Sequence, residues 1–224
     1  MSFKQILRSS TVAILFSFNS TLLEAGEIVG YTPYAGINSV AGVAITPPVA
    51  PNNDDVAGIS PNDLWVTQKH YVTVGAVDIV FDVVPTGGVT EYSIREGVDN
   101  STGLDWSSYV IQLGFGVGAG FVPTSAGDGL DFDASSFNSP PDFTTFFSTV
   151  DEYENVLVAY GGLMPNGAFS IPYFRFSIDV PDTFSSFTLR QFPVAAVPEP
   201  ASAGLALVAG VGTCGVLWRR RRGQ

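Results

Sequence analysis

The chain has 224 residues, with ten Lys and Arg against 21 Asp and Glu, a formal net charge of −11, one histidine and one cysteine. Such a balance repels nucleic-acid phosphates and anionic lipid headgroups. A single cysteine excludes a disulfide framework, and a single histidine without a neighbouring cysteine excludes an ordinary zinc site.

Residues 1–26 read as a secretory signal peptide. Lys4 and Arg8 form the basic start, and Thr11 to Leu23 forms an apolar stretch interrupted by Ser17, Asn19, Ser20 and Thr21. Ala25 suits the position before a cut, although Leu23 is larger than the residue preferred two places earlier. Removing both processed ends leaves Lys69, Arg95, Arg175 and Arg190 against 19 acidic residues, so the exported body carries a charge near −15. The only cysteine, Cys214, lies outside that body. Residues 27–193 are predicted to be one domain held by a hydrophobic core, and that length is sufficient to bury one.

Ile28 to Ile37 is a candidate first strand. Pro47-Pro48, Pro51 and Asn52-Asn53-Asp54-Asp55 then mark a loop. From Leu64 onward the pattern has period two. Val77, Ile79, Phe81 and Val83 share a face. Tyr92 and Ile94 alternate with Glu91, Ser93 and Arg95, and Tyr109, Ile111 and Leu113 with Val110 and Gln112. Phe174, Phe176, Ile178 and Val180 alternate with Arg175, Ser177 and Asp179, and Phe187 and Leu189 with Thr188 and Arg190. Asn155 to Tyr160 is a shorter apolar strand, and Thr144 to Tyr153 is a candidate short helix. Many short strands between Gly, Pro, Asn and Asp turns predict an all-β fold, an antiparallel β-sandwich or jelly-roll-like domain. No internal repeat is present.

Candidate chemistry is sparse. His70 has no second histidine, and no serine stands in a Gly-x-Ser-x-Gly nucleophile elbow. Asp128, Asp131 and Asp133, on a Gly-rich stretch, are candidate calcium ligands because hard carboxylate oxygens suit that ion. The plainer reading gives aspartates there turn-forming roles. Paired carboxylates for glycoside hydrolysis arise by chance among so many acids. Trp65, Trp106 and the tyrosines offer flat faces for sugar rings but equally serve a core. Gly114 to Gly120 lacks a phosphate-loop Lys-Ser/Thr and reads as a hairpin or loop.

The last stretch, residues 194–224, has three parts. Val197-Pro198-Glu199-Pro200 comes first, and its prolines impose extended geometry. Ala201 to Trp218 follows without a charge; 18 residues at about 1.5 Å each span roughly 27 Å, close to a bilayer core of about 30 Å. Its glycines are tolerated in membrane helices, Trp218 suits an interface, and Arg219, Arg220, Arg221 and Arg222 hold that end in the cytoplasm. A buried core helix is rarely followed by four consecutive arginines.

This order, motif then apolar helix then arginines, resembles a PEP-CTERM sorting signal. The resemblance implies a Gram-negative, exopolysaccharide-producing source and recognition by an exosortase. That membrane enzyme would cut near Pro198, Glu199 and Pro200 and release or re-attach the product. The Leu-Pro-x-Thr-Gly pattern of a Gram-positive sortase signal is absent, and an uncut tail anchor is the alternative. Asn100-Ser101-Thr102-Gly103, Asp105-Trp106, Tyr109 and Leu113-Gly114 are also similar to a pattern in the bodies of such proteins.

The sequence thus predicts a precursor anchored in the inner membrane through 201–218, then a cell-surface or extracellular protein. Its expected partners are an exosortase-type enzyme and exopolysaccharide, with no nucleic acid. A non-enzymatic structural or adhesive role, with no catalytic residue and no cofactor beyond calcium, is the first expectation. A carbohydrate-binding module with calcium is the second and a glycan-active hydrolase the third.

Overall fold

The computed structural model describes residues 26–48, 62–85, 89–125, 127–132, 142–170 and 173–197. Residues 1–25 of the segment read as a signal peptide, Asp133, Pro198 to Pro200 and residues 201–224 of the tail lie outside the described residues. Thirteen strands follow in order: β1 Gly26–Tyr34, β2 Ser39–Val40, β3 Val43–Ile45, β4 Asp63–Tyr71, β5 Val77–Pro85, β6 Val89–Asn100, β7 Trp106–Phe115, β8 Val122–Pro123, β9 Asp131–Phe132, β10 Thr149–Tyr153, β11 Val156–Met164, β12 Phe174–Pro181 and β13 Ser186–Ala195. Among the described residues the only helical element is a 3-10 turn at Gly118–Gly120, and no helix is long and apolar enough to cross a membrane.

The strands form two sheets. The first has the order β1-β5-β13-β7-β11-β10, with β8 beside β7; the second has the order β2-β4-β6-β12-β9, with β3 beside β4. Their alternating faces bury one core. Ile79 and Phe81, Tyr109 and Ile111, and Phe187 and Leu189 come from the first sheet; Leu64 and Val66, Tyr92 and Ile94, and Phe174 and Phe176 come from the second. Rings meet across the interface, Tyr71 against Trp106 with centroids 5.3 Å apart and Tyr109 against Phe174 at 5.6 Å. Branched and aromatic side chains at every second position favour a pleated, half-buried surface, so the sequence pattern and the strands coincide.

Two expectations need correction. One pair of neighbours is parallel: β4 runs alongside β6, Leu64 opposite Ile94 and Tyr71 opposite Asn100. The chain leaves β4 for β5 in the other sheet and returns to β6, so no hairpin joins the pair, and parallel strands cannot be joined by one. Thr144 to Tyr153 is not a helix. The amides of Phe146 and Phe147 both bond to the Phe143 carbonyl, a single turn, after which Thr149–Tyr153 pairs antiparallel with β11. The ladder supplies the hydrogen bonds that a helix would otherwise need.

One irregularity positions the site described next. Leu64 and Val66 of β4 face the core, and strict alternation would bring Gln68 and His70 inward after them. Instead the register against β6 slips between Val66 and Lys69, and it is Lys69 and Tyr71 that are buried. Bulges re-aim side chains in this way. The bulged backbone crowds its neighbour: a Cβ at Gly97 would stand 2.7 Å from the Thr67 carbonyl oxygen. Only glycine leaves room for the slip.

Candidate functional site

The bulge places a lysine in the middle of an aromatic core. Lys69, Glu96 and Gln191 are each fully buried. Lys69 comes from β4 and Glu96 from β6, both in the second sheet; Gln191 comes from β13 in the first. Lys69 Nζ donates to Glu96 Oε2 at 2.5 Å, and Gln191 Nε2 donates to Glu96 Oε1 at 2.5 Å. The carboxylate thus holds an amine on one oxygen and a carboxamide on the other. Tyr109 Oη donates to Gln191 Oε1 at 3.1 Å, and Tyr71 Oη lies 3.0 Å from Tyr109 Oη and 3.2 Å from the Gln191 main-chain oxygen. Lys69 Nζ also stands 5.5 Å from the centre of the Tyr109 ring, an arrangement that favours its charge.

Burial nonetheless dominates. It lowers the Lys69 pKa to about 8, against the opposing attraction and hydrogen bond of Glu96. The same desolvation raises Tyr71 and Tyr109 far above the ordinary phenol range, so both hydroxyls keep their protons and remain donors. Removing two charges from water is costly, and hydrophobic residues of similar volume are often as stable as a buried ion pair. The arrangement brings together an amine, a carboxylate, an amide and an oxygen-directed donor among buried rings. This constellation was missed on reading the sequence, although Glu96 falls in phase with Tyr92 and Ile94 and Gln191 in phase with Phe187 and Leu189.

The residues singled out from the sequence are dispersed. His70 lies on the outer side of β4, its Nδ1 2.7 Å from Asp99 Oδ2, while Ser101 Oγ donates to Asp99 Oδ1 at 3.2 Å. The hydroxyl therefore meets the acid and not the imidazole, the wrong order for an activated serine. Asp128 forms a turn. Its Oδ2 accepts from Thr124 Oγ1, from Ser125 N at 3.0 Å and from Ser125 Oγ at 3.3 Å, and its Oδ1 accepts from Leu130 N at 3.1 Å. Although burial pulls the other way, these hydrogen bonds hold its pKa below the ordinary carboxylate value. Asp131 sits in β9 opposite Asp179. Among the described residues no three His, Cys, Asp or Glu gather as a group that would hold a metal ion.

The Asn100 to Trp106 segment is a tightly tied corner. Asn100 Oδ1 accepts from Thr102 N and Oγ1, its Nδ2 donates to Leu104 O and Met164 O, and Trp106 Nε1 donates to Thr102 Oγ1 at 3.0 Å. Gly103 takes φ +80°, which glycine adopts without strain. The Asn100 side chain uses both its oxygen and its nitrogen within this corner. The Gly114 to Gly120 loop is clamped as well. Arg190 forks onto Asp78 with two 2.7 Å bonds and donates to Gly118 O, while Gly118 N donates to Asp78 Oδ2.

Among the described residues, aromatic side chains do not form an open platform. The Arg95 guanidinium covers the Trp65 ring at 5.1 Å and pairs with Asp63. The exposed Tyr31 and Tyr34 belong to β1, and Tyr153 and Tyr160 to β10 and β11, on opposite edges of the first sheet. Of Val197-Pro198-Glu199-Pro200 only Val197 is described; it is 86% exposed, two residues beyond the end of β13. Compared with known family models, curated proteins and solved structures, the chain matches none.

Proposed function

We propose that this chain is an exported bacterial surface or extracellular-matrix protein, sorted by an exosortase-type enzyme through residues 194–224, whose body has a non-enzymatic structural or adhesive role. The observation that carries the reading is the order of Val197-Pro198-Glu199-Pro200, an uncharged 18-residue stretch and four arginines. The exposure of Val197 just past the last strand supports it, since a processing enzyme needs a motif that stands clear of the folded body. Residues 1–26 supply the export signal in this reading. The body is a β-sandwich; a jelly roll requires antiparallel neighbours throughout, and the β4–β6 pair departs from that.

A structural role fits a body in whose core Lys69, Glu96, Gln191, Tyr71 and Tyr109 bind one another. Calcium is not required by it, because Asp128 is engaged by its own loop. A carbohydrate-binding role is the weaker reading, as Arg95 lies over Trp65 and the exposed tyrosines are divided between two edges. The test is substitution of Pro198 and Glu199 together by Ala in the native cell. The double variant is expected to accumulate as an uncut precursor in the inner membrane. Normal maturation and departure of that variant from the membrane would sink the sorting proposal.

A further inference from the structure

We propose that Lys69 and Gln191 become joined by an amide bond that the folded core makes by itself, with Glu96 carrying the protons. The inference rests on the buried cluster alone and is independent of how the tail is handled.

The chemistry needs four things, and the core provides each. The first is a nucleophilic amine. A lysine in water is protonated and inert; Lys69 is stripped of water, and its pKa is brought down to about 8 by burial. The second is a base in contact with that amine, here Glu96 Oε2 at 2.5 Å. The third is an electrophilic carbonyl with a leaving group that can be protonated. Gln191 presents its carboxamide with Nε2 on the other oxygen of the same carboxylate, at 2.5 Å. The fourth is a donor to the oxygen on which negative charge develops, and Tyr109 Oη stands 3.1 Å from Gln191 Oε1. Because Glu96 touches the nucleophile and the leaving nitrogen at once, one carboxylate serves as base and then as acid.

The step balances without a cofactor. The Lys69 ammonium gives a proton to Glu96, and the neutral Nζ attacks Gln191 Cδ. The tetrahedral oxyanion is held by the Tyr109 hydroxyl. Glu96 passes its proton to Nε2, the Cδ–Nε2 bond breaks, and the new Nζ–Cδ bond remains as an amide. A second proton passes from the attacking Nζ by way of the same carboxylate, so the nitrogen departs as ammonium with two protons that began on Lys69, the new amide is neutral, and Glu96 ends as a carboxylate. No electron is transferred, and the chain loses one ammonia. Water, the competing nucleophile, is excluded by the rings of Tyr71, Trp106, Tyr109 and Phe174.

The bond would tie β4 of one sheet to β13 of the other through the centre of the core. It would also replace the buried Lys69 charge by a neutral amide, with Glu96 left beside it without a counter-charge. The body, residues 27–193, contains no cysteine that could supply a cross-link by other means.

The experiment is a tryptic peptide map of the purified full chain, denatured and compared with the sequence. The expected result is a branched species in which the peptide starting at Gln191 is joined to one carrying an uncleaved Lys69, lighter than the sum of the two by about 17 Da. Cleavage after Lys69 with a free peptide starting at Gln191 would overturn the proposal. A loss of about 18 Da with Lys69 joined to Glu96 would overturn it too, since that product comes from condensation with the acid. The variant Glu96→Gln, which retains the side-chain shape, is expected to show both peptides unlinked; a linked product there would remove Glu96 from its assigned role. If that variant does not fold, Tyr109→Phe is used. It is expected to slow accumulation of the branched species after synthesis, and an unchanged rate would overturn the part given to the hydroxyl.

Discussion

A lysine at position 69 is a free amine only until the bond forms, and its titration distinguishes the two states. With the free amine, the folded-state pKa of about 8 lies below the unfolded value of 10.5. Between those values the unfolded chain binds the extra proton, so stability rises with pH across that window. The buried tyrosines act in the opposite sense: their raised values mean that the unfolded state loses protons first, and stability falls above about pH 10. In Glu96→Gln, which lacks the carboxylate that raises the Lys69 value, the rise is expected in urea unfolding midpoints from below pH 8 up to about pH 10. In the cross-linked protein Lys69 has no proton to lose, and the midpoint should be flat over the same interval. Asp78 is the second residue on which much depends. Its carboxylate is shared by the Arg190 fork and the Gly118 amide, and it is almost fully buried. Asp78→Ala leaves a guanidinium without its partner and is expected to cost about 3 kcal/mol by chemical denaturation. A loss below about 1 kcal/mol would show that water substitutes for the acid.

At the scale of elements, the strands were legible because apolar residues recur at every second position. Val77 to Val83, Tyr109 to Leu113 and Phe174 to Val180 each show the period that a half-buried strand requires. What escaped was where the period breaks. Nothing between Leu64 and Tyr71 announces a bulge except that Tyr71, a large aromatic, is out of phase with Leu64 and Val66. The bulge depends on a residue in the neighbouring strand, Gly97, whose missing Cβ leaves space for the Thr67 carbonyl. Such a dependence is spatial, and one sequence cannot display it. Glu96 and Gln191 were in phase with core positions, but a polar residue there reads as a strand-end accident until its partners are seen. The parallel β4–β6 pairing was hidden for a similar reason, since the alternation of a strand does not encode its neighbour's direction. Gly97→Ala tests the device directly. It is expected to cost about 1–3 kcal/mol through overpacking. By turning Lys69 away from Glu96, it should also abolish the branched peptide.

Taken as one molecule, the body is two sheets that would be locked by a single covalent tie at their centre. Closing a loop of roughly 120 residues restricts the unfolded chain by about 4–5 kcal/mol in chain-entropy terms. That is comparable with the whole stability of many small domains. The way the chain enters and leaves the first sheet gives this a direction. Gly26 of β1 stands opposite Pro85, and Ser186 of β13 opposite Asp82, so both strands begin at the same end of β5 and run the same way. β13 then continues to Ala195 at the far end, between β5 and β7. A pull applied at Val197 therefore acts along a strand that pairs with β7 as far as Ala195 and with β5 as well from Ser186 to Gln191. The bonds of a ladder lie across the strand direction, so the force shears two rows of them together instead of opening one row bond by bond. Gln191, four residues before the end of β13, is the first point at which a central bond would pass that load directly into the opposite sheet. Tension on the tail would then pass at Gln191 into β4, and residues 186–190 of β13, beyond the tie, would carry less of it.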